Sequence, residues 1–202
     1  MDTGAEDARH ERCTTVVVGA SAGGVAGLGV LLNGLDAGPP VVVLVAQHLR
    51  RSRPTQIVAI LSRRTGRTVK LAEEGERPRA GVVYVAPPDR HLCVNEDGTL
   101  SLSDEGLVNF TRPAADPLFE SAARAYGPQV IGCVLTGADS DGARGVEAVK
   151  DHGGTVVVQD PVTAEFHGMP KAAVGTGRVD HVLHLADIAP TINRLVAGVE
   201  CS

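Results

Sequence analysis

The sequence predicts a doubly wound α/β fold, a mostly parallel sheet with helices on both faces and one antiparallel hairpin. Short runs built almost entirely of Val, Ile, Leu and Ala recur along the chain, and stretches with helical features separate them. Strands that are apolar along their whole length are typical of parallel sheets covered on both faces. An Asp-Gly pair between two short runs adds the hairpin.

The first half of the chain opens with a β-branched run at residues 14–18, followed by a Gly-rich helix predicted over 24–35. A second helix is predicted over 54–62, because Pro54 and Thr55 are typical of a helix start. The remaining strands of this half are predicted at 41–46, 69–71 and 81–86, with the hairpin strands at 91–94 and 100–102.

The second half repeats the alternation of apolar runs and helical windows. Its strands are predicted at 129–135, 155–159 and 182–185. Its helices are predicted at 117–126, 142–152, 170–175 and 186–196. No internal repeat and no linker divides the chain.

The length of 202 residues fits a single domain, predicted over residues 13–202. Residues 1–12 are polar and charged, so we expect a disordered tail there. That segment lacks the apolar core of a signal peptide, and the longest apolar runs are too short to span a bilayer. These features predict a cytoplasmic protein that is not embedded in a membrane.

Composition argues against two other kinds of function. The formal net charge is −5 and no run of Lys and Arg stands out, so we expect no binding to nucleic acid. The four cysteines have no close spacing and join no histidine cluster, so no zinc site is predicted. Cys13, Cys93 and Cys133 lie in or beside apolar runs and are expected to be buried, reduced thiols.

The first strand leads directly into a Gly-rich turn, residues 19–24 (GASAGG), that opens a helix. Three interpretations are open. Backbone N–H groups at the helix start can bind a phosphate. Alternatively, Ser21 is a nucleophile in a G-x-S-x-G setting, where glycines relieve crowding at a sharp turn. In the third interpretation the turn is structural and Ser21 caps the helix.

His48 follows the second strand. A right-handed β-α-β crossover tends to place consecutive parallel strands side by side, so Ser21 and His48 are expected within reach of each other at one sheet edge. A dinucleotide-binding protein carries an acidic residue at the end of this strand, whereas this chain has Gln47 and His48. That difference counts against NAD, although a nucleotide-binding Rossmann protein stays an alternative.

A third loop, residues 136–142 (TGADSDG), again lies between a buried strand and a helix. Asp139 or Asp141 can accept a hydrogen bond from the Nδ1–H of a histidine and complete a Ser-His-Asp triad. The same carboxylates can instead cap the following helix or bind Mg²⁺, and composition does not choose between these roles. The chain order Ser, His, Asp differs from the Ser, Asp, His of typical α/β-hydrolases.

These segments resemble the CheB chemotaxis protein-glutamate methylesterases, from about residue 14 to residue 196. The resemblance implies a domain that hydrolyses γ-glutamyl methyl esters on chemoreceptors, can deamidate receptor glutamines and needs no metal or organic cofactor. It rests on six ordered segments: 19–24 (GASAGG), 47–48 (QH), 85–91 (VAPPDRH), 112–113 (RP), 135–137 (LTG) with 141–143 (DGA), and 168–170 (GMP).

Carried over by position, the resemblance implies that Ser21 is the nucleophile, His48 the general base and Asp141 the orienting carboxylate. The backbone N–H groups of Ala22 and Ala138 are the implied oxyanion donors.

The resemblance also implies that Phe110, Arg112 and Met169 line the substrate groove. Each has a structural alternative: Arg112 can form a surface ion pair with Asp116, and Phe110 and Met169 can be core residues.

Two features separate the chain from the usual family pattern. The family's last loop usually reads T-G-M-G-x-D-G, whereas Ala138 and Asp139 replace its Met and second Gly here, and Ala22 replaces a frequent Thr. Asp139 adds a negative charge beside a site that must stabilise an oxyanion. A catalytically weak CheB-like binding or regulatory module is therefore the alternative function.

Typical family members also carry an N-terminal receiver domain, which residues 1–12 are too few to contain. We therefore expect a stand-alone esterase, an esterase regulated by a separate receiver protein, or a fragment of a longer chain. The expected substrate is a methylated chemoreceptor or receptor-like protein.

Overall fold

A computed structural model of the protein describes residues 13–37, 41–49 and 54–199. The strands in these ranges are β1 (Thr14–Ala20), β2 (Val41–Gln47), β3 (Thr68–Leu71), β4 (Val82–Val85), β5 (His91–Val94), β6 (Leu100–Ser103), β7 (Val130–Val134), β8 (Thr155–Gln159) and β9 (His181–Leu183). The α-helices are α1 (Gly24–Gly34), α2 (Ile57–Thr65), α3 (Ala115–Tyr126), α4 (Ala143–Asp151), α5 (Gly168–Gly175) and α6 (Leu185–Val199).

Seven strands form one parallel sheet in the order β3-β4-β2-β1-β7-β8-β9. Strands β2 to β4 lie on one side of β1, and strands β7 to β9 lie on the other side. The direction in which strands are added therefore reverses between β1 and β7. Open α/β sheets bind ligands in the crevice at such a reversal. The predicted fold class is confirmed, with the antiparallel hairpin β5-β6 forming a separate two-stranded sheet.

The central strand β1 shows why the inner strands of the sheet are mostly apolar. All seven of its residues are buried. Its side chains alternate between two cores, because successive residues of a strand point to opposite faces. Val17 packs with α3, α4, α5 and the hairpin, whereas Val16 and Val18 pack with α1, α2 and α6.

Five of the six described helices begin one to three residues away from their predicted starts, and α2 and α5 are among them. The helix predicted over 54–62 runs from Ile57, because the Thr55 hydroxyl accepts the N–H of Ile57 at 3.2 Å and so caps the helix from outside. The helix predicted over 170–175 begins at Gly168. Pro170 is tolerated in its first turn, where N–H groups have no partner within the helix.

Three further predictions concern the N-terminal tail, the cysteines and the absence of membrane-spanning segments. The predicted tail at 1–12 lies outside the described residues. Cys133 is fully buried as predicted, whereas Cys13 and Cys93 are only half-buried. Among the helices of the described ranges, none combines the length and the apolar character needed to cross a bilayer.

Candidate active site

Three loops meet at the carboxyl edge of the sheet, after the neighbouring strands β2, β1 and β7. Ser21 follows β1 and His48 follows β2, and the residues before them, Ala20 and Gln47, are paired in the ladder. The N–H of His48 donates to the carbonyl of Ala20, and the N–H of Ser21 donates to the carbonyl of Thr136 in the loop after β7, both at 3.0 Å. The sheet therefore gathers the three loops that the order of strands predicts.

The turn that carries Ser21 depends on both glycines that follow it. Gly23, directly before α1, has a φ of +73°, in the left-handed region that favours glycine. A Cβ on Gly24 would lie 2.2 Å from Oε1 of Gln47, and Nε2 of the same Gln47 side chain donates to the Ser21 carbonyl at 2.8 Å. Ser21, the first turn of α1 and Arg64 line a shallow hollow of about 290 Å³.

The imidazole of His48 lies between two carboxylates. Its Nε2 is 2.7 Å from Oδ2 of Asp141, and its Nδ1 is 3.2 Å from Oδ2 of Asp139. The contact with Asp141, expected at Nδ1, is thus made through Nε2 instead, and Nδ1 contacts Asp139. In the described part of the chain, the Ser21 hydroxyl forms no hydrogen bond with the ring.

Asp141 is fully buried and accepts four hydrogen bonds. Besides His48, its donors are the backbone N–H of Ala115, the backbone N–H of Asp116 at 3.1 Å and Nδ2 of Asn109 at 3.2 Å. Ala115 and Asp116 begin α3, so this carboxylate caps α3 rather than α4, the helix that follows it in the sequence. Helix capping and contact with a histidine, which are alternatives at the sequence level, are both made by this one side chain.

The pKa values of His48 and Asp141 reflect their pairing. Burial lowers the pKa of His48, but the hydrogen bonds with Asp139 and Asp141 outweigh burial and raise it to about 9. Burial raises the pKa of Asp141, but the hydrogen bonds from His48 and from the start of α3 outweigh it, so this pKa lies below its ordinary value. The pair is therefore an imidazolium and a carboxylate at neutral pH.

Asn109 and Asp116 belong to the site, although the sequence did not identify them as functional residues. Nδ2 of Asn109 lies 3.2 Å from Oδ1 of Asp141 and 3.2 Å from Oδ2 of Asp116, so it bridges two buried carboxylates. Asp116 also accepts the N–H of Gly145 at 2.9 Å and contacts Arg144 at 3.3 Å. Burial and the nearby charge of Asp141 raise the pKa of Asp116. No motif or periodicity in the sequence marks Asn109.

The backbone N–H groups predicted to be oxyanion donors have no hydrogen-bond acceptor in the described residues. Neither the backbone N–H of Ala22 nor that of Ala138 donates a hydrogen bond within the described residues, whereas those of Ser21 and Gly137 do. The two loops are in contact, because a Cβ on Gly137 would lie 3.0 Å from Cβ of Ser21. Both N–H groups thus lack a hydrogen-bond partner in the described part of the chain, and the loops that carry them are in contact.

Arg112 and Phe110, two predicted groove residues, lie on the segment before α3. Arg112 is 11% exposed, and its Nε and Nη2 contact Oδ1 of Asp89 at 3.0 and 2.8 Å. The alternative pairing of Arg112 with Asp116 is wrong, because Arg112 pairs with Asp89, and Asp116 is contacted by Arg144 instead. Phe110 is 98% exposed, so its alternative as a core residue is also wrong.

Met169, the third predicted groove residue, is fully buried. Its N–H donates to the carbonyl of Gly137 at 2.9 Å, and its side chain packs beneath that glycine. It supports the loop after β7 from inside the core.

Residues 16–192 match the family model described as CheB methylesterase. The chain belongs to the CheB methylesterase family. It is 42% identical, over 89% of its length and 93% of the other protein, to a Leptospira interrogans protein provisionally named protein-glutamate methylesterase/protein-glutamine glutaminase. It is 40% identical to protein-glutamate methylesterase/protein-glutamine glutaminase 2 of Anaeromyxobacter dehalogenans, matching 95% of this chain but 56% of that protein.

The fold comparison agrees with CheB family membership. The crystal structure of the Thermotoga maritima CheB methylesterase catalytic domain superposes with a TM-score of 0.85 at 34% identity, covering 90% of this chain and 98% of that one. The resemblance inferred from the six sequence segments is therefore confirmed.

Proposed function

We propose that this CheB family member is a serine hydrolase that cleaves glutamate methyl esters and deamidates glutamines on a chemoreceptor-like protein. The observation that carries the proposal is the 2.7 Å contact between Nε2 of His48 and the buried carboxylate of Asp141, at the sheet edge next to Ser21. The names of the relatives support the ester and amide chemistry, and the family resemblance supports the chemoreceptor substrate.

In the proposed mechanism, Oγ of Ser21 attacks the ester carbonyl while Nδ1 of His48 takes its proton. Asp141 orients the ring and stabilises the imidazolium. His48 returns the proton to the departing methanol, and water activated by His48 then hydrolyses the acyl-serine to glutamate. General acid–base help of this kind contributes about 10²–10⁴-fold. A glutamine substrate follows the same steps and releases ammonia.

The N–H groups of Ala22 and Ala138 are the proposed oxyanion donors, because both are unoccupied and Ala22 directly follows Ser21. One such donor contributes about 10²–10³-fold to the rate.

The first prediction concerns Ser21→Ala. This variant should lose at least about 10³-fold of the methanol release from methylated chemoreceptor membranes, since it lacks the nucleophile. Ser101→Ala, in the hairpin strand β6, is the matched control and should keep wild-type activity. Full activity in Ser21→Ala would exclude the mechanism.

A second candidate is a CheB-like binding or regulatory module with weak turnover. The position of Asp139 against Nδ1 of His48 favours it, whereas the catalytic names of the relatives favour the enzyme. The module would bind receptor membranes equally well as wild type and as Ser21→Ala, with no methanol released by either.

The proposal extends to location and regulation. We expect the reaction on the cytoplasmic side of the membrane, where the methylated segments of chemoreceptors would be reached. We also expect a separate receiver protein to regulate the chain, since typical family members carry a receiver domain. Assays with and without a phosphorylated receiver protein test the second point.

A further inference from the structure

Asp139 is placed to control the protonation and the position of His48. Oδ1 of Asp139 accepts the backbone N–H of Asp141 at 3.0 Å, which fixes the carboxylate within its own loop. Its Oδ2 then lies 3.2 Å from Nδ1 of His48. Because a carboxylate only accepts hydrogen bonds, a ring held between Asp139 and Asp141 carries a proton on both nitrogens.

A ring in this state cannot act as a general base. Nδ1 is the only nitrogen of His48 that Asp141 leaves to a nucleophile, and Asp139 occupies it. The Ser21 hydroxyl makes no hydrogen bond to the ring in the described residues. The loop position of Asp139 usually holds glycine in the family pattern, so this contact comes from a residue in which the chain departs from that pattern.

Other charged groups lie farther from the ring. Asp116 and Arg144 stand behind Asp141, where Asn109 links the two carboxylates. Glu165 lies on the other side, against Gly23 in the turn of Ser21. Among the described charged residues, Asp139 and Asp141 are the two that contact His48.

We propose that Asp139 is a positioning residue that holds His48 away from Ser21 in the resting enzyme, so that turnover begins only when its carboxylate leaves Nδ1. This inference rests on the proposed function, in which Ser21 and His48 are nucleophile and base. The side chain of Asp139 is 36% exposed, so it has room to turn towards solvent.

The consequence for catalysis is a strong pH dependence. His48 has a pKa of about 9, so at pH 7 about one molecule in a hundred holds the neutral ring, and the rate of the wild type should rise with pH up to that value. Without Asp139 the neutral ring becomes more abundant near pH 7. Asp139→Ala should therefore be at least about tenfold faster than wild type at pH 7, with the two rates converging above pH 9.

The test combines a ring titration with kinetics. Nuclear magnetic resonance follows the His48 ring from pH 5 to 10 in wild type, Asp139→Ala, Asp139→Asn and Asp151→Ala, with His48→Gln to assign the signal among the seven histidines. Asp151, an exposed carboxylate at the far end of α4, is the matched control and should leave the titration unchanged. In Asp139→Ala the ring should titrate about one pH unit lower or more.

The Asp139→Asn variant distinguishes the effect of the negative charge of Asp139 from the effect of a side chain that contacts Nδ1 of His48. The amide lacks the charge that raises the pKa of His48, so this pKa should fall. Its NH₂ group can donate to a deprotonated Nδ1 and so still occupy that nitrogen, and the gain in methanol release at pH 7 should therefore be smaller than that of Asp139→Ala.

The outcomes distinguish this inference from the proposed function. An unchanged His48 titration in Asp139→Ala would overturn the inference. If the wild type releases methanol, a lowered titration without any gain in rate at pH 7 would overturn it as well. A lower pKa of His48 in Asp139→Ala, with no esterase activity in any variant, would instead count against the proposed function. It would still establish that Asp139 contacts His48 and raises its pKa.

Discussion

Asp141 accepts four hydrogen bonds in a position without solvent contact. A buried carboxylate is costly unless its lone pairs are satisfied, and here two backbone donors, one amide and one imidazole satisfy them. The same donors fix the carboxylate in one orientation. The orientation of His48 therefore follows from the start of α3 as much as from the loop after β7.

The second prediction concerns Asp141→Asn. The asparagine keeps the shape but offers one acceptor oxygen, so its NH₂ group faces a backbone N–H in either orientation, and in one of them it also favours the wrong tautomer of His48. We expect kcat to fall on the order of 10³–10⁴-fold and the free energy of unfolding to fall by about 1–3 kcal/mol. Methanol release and urea denaturation measure the two effects.

Asp139→Asn is the comparison for that experiment, because Asp139 contacts the other ring nitrogen and is half-exposed. It should be at least as active as the wild type at pH 7. The reverse pattern, with Asp139→Asn inactive and Asp141→Asn active, would transfer the orienting role to Asp139.

At the scale of residues, the sequence predicts a site where each side chain directly follows a buried strand. Ser21 and His48 do so, and Asp141 follows within one short loop, so sheet topology alone brings them to one edge. Asn109 was not predictable, because it reaches Asp141 from a turn whose position depends on the packing of α3. The contact of Asp139 with Nδ1 of His48 depends on side-chain rotamers that no local pattern specifies.

At the scale of elements, α5 supports the loop after β7. A Cβ on Gly137 would lie 2.1 Å from the sulfur of Met169, and Met169 is fully buried, so its side chain has little room to move. The backbone of Gly137 also bonds with Phe166 and Met169, at 3.0 and 2.9 Å. The loop with the candidate oxyanion donor Ala138 therefore lies directly on the first turn of α5.

The third prediction follows from that contact. Gly137→Ala should lower the free energy of unfolding by about 1–3 kcal/mol, since an overpacked core shifts side chains and backbone. It should also lower methanol release, because the displaced loop carries Ala138. Urea denaturation measures the first effect. Gly106→Ala, where a Cβ would meet nothing within 4 Å, is the control, and equal stability of the two variants would contradict the prediction.

Strands were more predictable than helices at this scale. Each of the five inner strands of the main sheet is marked by a run of mostly apolar residues, because both faces of the sheet are covered there, whereas the edge strands β3 and β9 are short and partly exposed. Helix starts depend on capping: Thr55 caps α2 from outside, so the helix begins later than Pro54 suggests. That the hairpin forms its own sheet also depends on packing against α3, which the Asp-Gly signal does not report.

At the scale of the whole molecule, the pairing of His48 links stability to pH. The pKa of His48 is about 9 in the folded protein and about 6.5 for an unperturbed histidine. A group with a raised pKa in the folded state contributes stability that is complete below its unfolded pKa and lost as the pH rises through its folded pKa. The contribution of His48 therefore declines between about pH 6.5 and pH 9.

The fourth prediction compares wild type with His48→Gln, in which this titration is absent. From pH 6 to pH 9.5, the free energy of unfolding of wild type should fall more steeply than that of the variant. Urea denaturation at both pH values provides the measurement. The cysteines titrate in both proteins, so their effect cancels when the two changes in the free energy of unfolding are subtracted. Parallel declines would mean that His48 is not held as an imidazolium.

The capping of α3 by Asp141 has a consequence for how such proteins diverge. A descendant that no longer hydrolysed esters would be released from selection at Ser21, whose side chain makes no hydrogen bond in the described fold. Asp141 would stay under selection, because folding of α3 still needs its carboxylate. Lineages that have become inactive should therefore retain the aspartate after the serine has drifted, and the aspartate alone is poor evidence that a homologue is an enzyme.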